Sequence, residues 1–484
     1  MDGVIYALIA FSTMLVLIAV RMPIGLAMLT TGALGYTYLT SASTLFYHIK
    51  ANIYPQFSNY TLSVIPLFIL MGALAERSGD ARLIFEVAEK RLGHVRGGLP
   101  MAVILACTAF GSICGSSVAT TATFGRAALP EMMRAGCEAG FATATIAIGG
   151  TLGILIPPSV ILIIYAIIAE QNIAKLFQAA LIPGLLATLF YCATIAIMVR
   201  WKPDCVPPPK LNTSSFDVAN FSLSRKQRWL GTALAFGSVA IWFTGNIGIG
   251  LLAFLGVLAA VIAFIPPAVI PVLGIAVIVI GGIYSGFFTP TEGAAIGAVI
   301  MGVLGLAQRK LGRKDISIAL LQTGQTTGMI FLILLGADLF SSFLALTRTP
   351  ILVAQMISDA GLPPMLILMG TMATYLVLGA VMDELAMLFL TLPLFAPIIF
   401  SLDFGMPADD VGIWFGILVL VVVGVGLTAP PIGMNIFVIN KIADGVPISK
   451  SYYGILPFIF ADMLRLSILI SFPALSLWLV HFFN

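Results

Sequence analysis

The sequence predicts an all-α polytopic membrane protein, organised as two inverted repeats that each hold a re-entrant helical hairpin and a broken transmembrane helix. Three observations lead there. Of 484 residues, 60% are hydrophobic and only 9% charged, with a mean hydropathy of +1.08. Soluble domains are about a quarter charged, so a water-soluble enzyme, a nucleic-acid binder and a disordered chain are excluded. Next, many apolar runs reach the about 20 residues that a helix needs to cross about 30 Å of hydrocarbon. Finally, the 47 glycines and 27 prolines gather inside these runs. A helix broken in hydrocarbon leaves N–H and C=O groups unpaired. Such breaks persist only where protein, water or an ion satisfies them. The net charge of +3 says little about partners, and five cysteines suggest no disulfide framework or zinc site. His48, His94 and His481 are too scattered for a metal cluster or a catalytic triad.

Residues 4–20 form an apolar run closed by Arg21, read as a retained first span because no charged leader precedes it. Runs at 23–41 and 60–75 complete the scaffold helices expected over 1–75. The segment 76–97 carries Arg77, Arg82, Lys90, Arg91 and Arg96, which places it in the cytoplasm by the positive-inside rule. Within it, 81–95 is amphipathic and suits an arm lying in the interface. The unit 98–173 begins with an apolar stretch, 99–109, that covers under about 20 Å and is too short to cross. It leads to a Gly-rich tip at 111–117 and a second short arm ending near Pro130, the mark of a re-entrant hairpin. A run at 139–168 follows, interrupted by GGTLGILIPPS.

The region 174–345 holds runs at 174–199, 229–245, 247–264, 267–283, 290–307 and 318–346, with a Pro-rich basic linker at 200–228 that again reads as cytoplasmic. Segment 346–362 contains only Arg348 as a basic residue and belongs on the opposite face; 351–360 is a second arm. The unit 363–452 repeats the hairpin around 379–384 and the break in GVGLTAPPIGMN, within a run at 411–444. Residues 453–484 supply the last span. Landmarks recur in order: Pro23, Pro66, Gly111, Pro130 and Pro157–Pro158, then Pro290, Ile330, Gly379, Pro397 and Pro430–Pro431. Such internal duplication is the signature of inverted-repeat transporters, here with hairpins entering from opposite faces.

The breaks offer oxygen ligands. Gly/Pro interruptions expose carbonyls, which hard cations such as Na⁺ prefer, so one cation site per half follows. Hairpin one is rich in hydroxyls, of which Ser116 and Ser117 lie nearest the tip and Thr120 follows. Hydroxyls and helix N-termini bind carboxylates or sulfonates, although some hydroxyls only back-bond within their helix. Arg126 either holds an anionic substrate or pairs with an acid such as Asp338 or Glu384. Asp383 and Glu384 either tune cation binding or bond across helices. No Walker, HExxH, nucleophile-elbow or GxGxxG pattern is present, so an ion gradient has to drive any transport.

The stretches GSICGSSVATTATFG, GGTLGILIPPSVILIIYA, GFFTPTEGAAIGA and GLTAPPIGMNIF resemble the large membrane (M) subunit of tripartite ATP-independent periplasmic (TRAP) transporters, within the ion-transporter superfamily. The likeness runs from RMPIGLAM at Arg21 to the last span. It implies an elevator-type transporter in the bacterial inner membrane, taking up small organic anions with about two Na⁺ ions and no organic cofactor. It also implies a separate small four-helix membrane subunit and a periplasmic substrate-binding protein. Carried onto this chain, sodium site 1 uses main-chain oxygens of Gly111, Cys114, Gly153, Ile156 and Pro157, and sodium site 2 those of Gly379, Gly426, Ala429 and Ile432. Substrate contacts fall to Ser116, Ser117, Thr120, Arg126, Thr428 and Asn435. The family often has Ser at Cys114 and Thr at Ala429; main-chain ligation survives both changes, and Thr428 is positioned to replace a threonine side chain. The region 200–247 looks longer than usual and leaves room for an additional membrane segment. Two other readings stand beside the permease. One is a stand-alone sodium- or proton-coupled organic-anion symporter of the same superfamily. The other is an intramembrane enzyme, for which no nucleophile–base pair or metal constellation is visible.

Overall fold

A computed structural model describes residues 2–206, 269–349, 351, 352, 355 and 361–483. The expected spans at 229–264, most of the 200–228 linker and almost all of the second arm at 351–360 lie outside the described residues. In chain order the helices are α1 (Asp2–Ala19), α2 (Ile24–Leu39), α3 (Ala42–Phe57), α4 (Val64–Arg77), α5 (Asp80–Leu92), α6 (Gly98–Cys114), α7 (Ser117–Ala127), α8 (Leu129–Arg134), α9 (Ala139–Leu155), α10 (Val160–Ile168) and α11 (Ile173–Trp201). From residue 269 onward come α12 (Ile270–Tyr284), α13 (Pro290–Ala307), α14 (Arg313–Leu346), α15 (Pro364–Gly379), α16 (Glu384–Phe400), α17 (Ala408–Gly426), α18 (Met434–Ile442), α19 (Ile448–Ser471) and α20 (Ala474–Phe483). Among the described residues, six helices are long and apolar enough to span a membrane, or seven counting α9 with α10.

Local chemistry fixes the ends. Asn172 caps α11 by accepting from Ala174 N and Lys175 N at 2.9 and 3.2 Å. Thr289 and Glu292 form a capping box on α13. Gly97 and Gly115 take positive φ of 81° and 63° around α6, a conformation that costs glycine least. Glycines also let helix backbones meet. A Cβ on Gly25 or Gly32 of α2 would lie 2.9 or 2.8 Å from the α14 main chain.

The interruption expected around 379–384 falls at Ala380–Asp383, where Asp383 caps a new helix. The chain differs from the expectation at two places. Helix α3 forms where no span was read, because its sequence is half polar. The last run divides at Phe472–Pro473, since proline has no N–H to continue the ladder.

Two packing relations matter for the site. Helix α2 lies along α14, and α13 lies along α4; likewise α9 packs on α19 and α17 on α11. An element early in one half therefore pairs with a later element of the other. The second relation concerns the ends of the molecule. Arg96 Nη2 donates to Pro203 O at 3.0 Å, and Glu138 N donates to Cys205 O at 2.9 Å. The basic 76–97 segment and the start of the basic linker thus share one side, as their charge requires. Tyr165 Oη donates to Gly412 O at 2.7 Å, and His481 meets Asp410 at 3.0 Å, at the opposite ends of the α9–α10 and α17 tracks.

Candidate functional site

In each half a pair of helices turns back along a third helix that ends at a break. In the first half, Cβ atoms on Gly149 and on Gly111 would meet Cys107 and Gly153 respectively, so α6 ascends α9. Ser116 and Thr120 then face Gly153, and Thr121 faces Gly150, so α7 descends it. The turn between them sits against the end of α9. In the second half Gly379 faces Met387 and Gly426, while Tyr375 stacks near Phe395, giving the same antiparallel arrangement against α17.

The breaks follow from proline chemistry. A helical carbonyl is normally bonded by the N–H four residues on. For Gly153 and Ile154 those positions are Pro157 and Pro158; for Gly426 and Leu427 they are Pro430 and Pro431. None has an N–H. Helix α9 stops at Leu155 and α10 resumes at Val160 after a 47° bend. Helix α17 stops at Gly426 and α18 resumes at Met434, with Gly433 at φ 59°. In the second break two orphan carbonyls find partners. Asn435 N donates to Leu427 O at 3.0 Å, and Ala429 N to Gly426 O at 3.3 Å. Oxygen-only, carbonyl-rich breaks suit a hard monovalent cation better than a transition metal. Among the described residues no three His, Cys, Asp or Glu side chains converge.

The nine expected sodium-site residues lie in the two breaks and in the last turns of the helices that lead to the breaks and to the facing turns. Gly111 and Gly153 meet: a Cβ on Gly111 would be 3.0 Å from Gly153 Cα. Ile156 and Pro157 lie in the break itself. Cys114 ends α6, and its carbonyl oxygen lies 2.6 Å from where a Gly72 Cβ would stand, on the α4 side of the turn. Gly379 and Gly426 approach equally closely, and Ile432 N donates to Ala380 O at 3.2 Å, tying break two to turn two. Ala429 lies in that break. Tyr452 Oη donates to Pro431 O and Ile432 O at 2.7 and 2.8 Å, so the Ile432 carbonyl already has a partner.

The expected substrate residues are partly engaged with one another. Ser116 caps α7, accepting from Ala119 N at 3.4 Å, and Thr120 Oγ1 donates to Ser116 O at 2.7 Å. Ser117 Oγ donates to Asn435 Oδ1 at 3.1 Å, while Asn435 Nδ2 donates to Ala147 O at 3.1 Å. Asn435, wholly buried, therefore joins break two, turn one and α9. Thr428 back-bonds to Val425 O at 3.0 Å. Arg126 stands apart from this group. It is 65% exposed and pairs with Glu76 at 3.3 Å, in an open pocket of ≈ 530 Å³ with Arg77, Arg82 and Arg134. It pairs with neither Asp338 nor Glu384, since it lies at the far end of α7 from the turn. Asp338 instead meets His48 at 3.8 Å.

Between the two halves lies a cavity of ≈ 120 Å³. Turn one contributes Cys114, Gly115 and Ser116; α10 contributes Val160; turn two contributes Glu384. The opposite wall is α4, with Gly72 and Glu76, and α14, with Gln322 and Thr326. Sequence reasoning missed Glu76, Gln322 and Thr326; polar residues four apart in the apolar α14 were the available signal. It also missed Asp462 and Arg465 in α19. Their side chains are 1% exposed and pair at 2.9 Å, with Tyr191 donating to both Asp462 oxygens at 2.8 and 3.0 Å. Tyr191 in turn meets Thr151 of α9 at 3.3 Å.

This arrangement of paired short helices against broken ones can be compared with known proteins. The model of the tripartite ATP-independent periplasmic transporter, DctM component, matches residues 11–475. The chain belongs to this TRAP large-permease family. Among curated relatives, the C4-dicarboxylate TRAP large permease DctM of Pseudomonas aeruginosa is 33% identical over 87% of this chain and 86% of its own length. The ectoine TRAP large permease TeaC of Halomonas elongata is 30% identical over 97% and 98%. The sialic acid TRAP large permease SiaM of Vibrio cholerae is 27% identical over 96% and 95%. A solved structure, the YdaH transporter of Alcanivorax borkumensis, superposes with a TM-score of 0.60 over 92% of this chain and 90% of its own, at 14% identity. That likeness shows a shared all-helical transporter fold. This TRAP permease is thus a polytopic membrane transport protein, and its relatives are permeases, not enzymes.

Proposed function

We propose that this TRAP permease takes up a small organic anion across the bacterial inner membrane by symport with Na⁺, using an elevator motion. The observation that carries the reading is the duplicated junction in which a glycine near the end of the helix before a turn meets a glycine near the end of the helix before a break, Gly111 of α6 with Gly153 of α9 and Gly379 of α15 with Gly426 of α17. Proline removes the usual helical donor from the Gly153 and Ile154 carbonyls at the first junction and from the Gly426 and Leu427 carbonyls at the second, where Ala429 N and Asn435 N supply one substitute bond each, and carbonyls of broken helices are the usual ligands of coupling ions. The two turns are read as tips of re-entrant hairpins related by an inverted repeat. The two units that carry them move together, as cargo-bearing elements against the α2–α4 and α12–α14 frame. Carboxylate cargo suits the helix N-termini that open on the cavity. The named cargos of relatives, C4-dicarboxylates, ectoine and sialic acid, all contain carboxylates and set the class. Cargo arrives from a periplasmic binding protein, and a small membrane subunit completes the permease as a separate chain.

The test is uptake in proteoliposomes holding this chain with its small subunit, supplied with loaded binding protein. Uptake is expected to need external Na⁺ and both partners. Undiminished uptake in Na⁺-free buffer would remove the coupling, and full uptake by this chain alone would favour the stand-alone symporter.

A further inference from the structure

The cavity between the halves has an uneven electrical character. Helix α10 begins on its wall at Val160, and α7 begins just behind its lining cap Ser116; both present N–H-rich, partially positive ends. On the same wall, beside the start of α7, stands Glu384. Its Oε2 is sealed from solvent and has no hydrogen-bond partner. Its carboxylate lies beside the Ser117 hydroxyl, which is already donated to Asn435. Asp383, next in the chain, caps α16 by accepting from Ala386 N at 2.8 Å and so adds negative charge instead of relieving it. Among the described residues no Lys, Arg or His pairs with Glu384. Glu76, the other acid on the wall, does have a cation, Arg126.

A sealed, unpaired carboxylate oxygen is costly in hydrocarbon unless something arrives to meet it. Resting on the reading of this cavity as the cargo site, we propose that Glu384 receives a cationic group of the cargo. The cargo class is then a compact carboxylate that also carries a protonated amine or amidinium: its carboxylate lies at the N-terminus of α10, its cation at Glu384 beside the start of α7. A dicarboxylate places its second negative charge against Glu384, and a site with a buried charge rejects the wrong partner strongly. Glu384 is thereby a specificity residue, distinct from the carbonyl sites that hold Na⁺. A volume of ≈ 120 Å³ restricts the cargo to small molecules.

The experiment measures calorimetric binding to the purified chain with its small subunit, at fixed Na⁺, of three probes: succinate, 4-aminobutyrate and ectoine. Wild type is expected to bind at least one zwitterion and to prefer it over succinate. Glu384→Gln is expected to weaken zwitterion binding about tenfold or more and to narrow or reverse the preference. Preference for succinate in wild type, binding of none of the three, or an unchanged ratio in Glu384→Gln overturns the proposal. Loss of one equivalent of bound ²²Na⁺ in Glu384→Gln also overturns it, by making Glu384 a sodium ligand. Thr326→Trp and Gln322→Trp, which fill the cavity from the frame side, separate the two levels of the argument. If either keeps its thermal midpoint and blocks all probes while Glu384→Gln changes nothing, only the specificity claim fails. If both bind the probes normally, the cavity is not the cargo site and the proposal falls with that reading.

Discussion

Replacing Gly426 by alanine is the sharpest perturbation of the junction between turn and break. The new Cβ would stand 2.6 Å from both Cα and C of Gly379 and 2.9 Å from its carbonyl oxygen. Ordinary contact begins at 3.4 Å, so α15 and α17 must separate by 3.4 − 2.6 = 0.8 Å. Both partners are main-chain atoms, so no side-chain rotation relieves the clash. Overpacking of this kind costs about 1–3 kcal/mol. If that cost falls on the closed, cation-holding arrangement, Na⁺-dependent uptake drops by about five- to one-hundred-and-fifty-fold. Gly424→Ala is the matched control two residues away, because its Cβ meets only Thr151 Cβ at an ordinary 3.6 Å. The assay is initial uptake rate against Na⁺ concentration, with thermal unfolding in detergent recorded for both variants. Wild-type Na⁺ dependence in Gly426→Ala would refute the claim that the close glycine contact builds the site. So would equal impairment of the control.

The buried α19 pair gives a stability test. Asp462→Ala leaves the fully buried Arg465 without its 2.9 Å partner, and breaking such a pair costs about 3–5 kcal/mol. A lower thermal midpoint is expected, with substantial recovery when Arg465 is also changed to Met; no recovery would show that Asp462 acts through Tyr191 instead. On the arm helix α5, the Glu89 carboxyl is raised above its usual 4.5 by burial first, then by Glu131 and Glu86. The folded form holds that proton more tightly than the unfolded one, so the stabilisation it brings is full below 4.5 and is lost as pH rises through the raised value. Glu89→Gln is expected to raise the midpoint at neutral pH and leave it unchanged in acid below 4.5. The reverse ordering in a thermal scan against pH would contradict this.

Much of the architecture was readable from proline and glycine alone. Pro157–Pro158 and Pro430–Pro431 stop their helices wherever they stand, because the missing N–H is a property of the residue. Gly115 needs no neighbour to favour a turn. The run 290–307 was bounded as found, since Thr289, Pro290 and Glu292 specify a helix start locally. Reading failed where identity depends on company. Helix α3 is too polar to announce itself and forms beside α2. Asp462 and Arg465 look like two stray charges in an apolar span until α11 brings Tyr191 to them. Arg126 looked suited to an anion, but its place on α7 turns it to Glu76.

By itself, then, the chain determined its solvent and its helix breaks, because each follows from side-chain polarity or from one residue's backbone chemistry. Only the tertiary structure decided which glycines touch, which hydroxyls are already spent on Asn435 or on their own helix, and that Glu384 lines a cavity where no cation among the described residues pairs with it. Those are relations between residues hundreds of positions apart, such as Ser117 with Asn435, and no local rule of sequence encodes a distance.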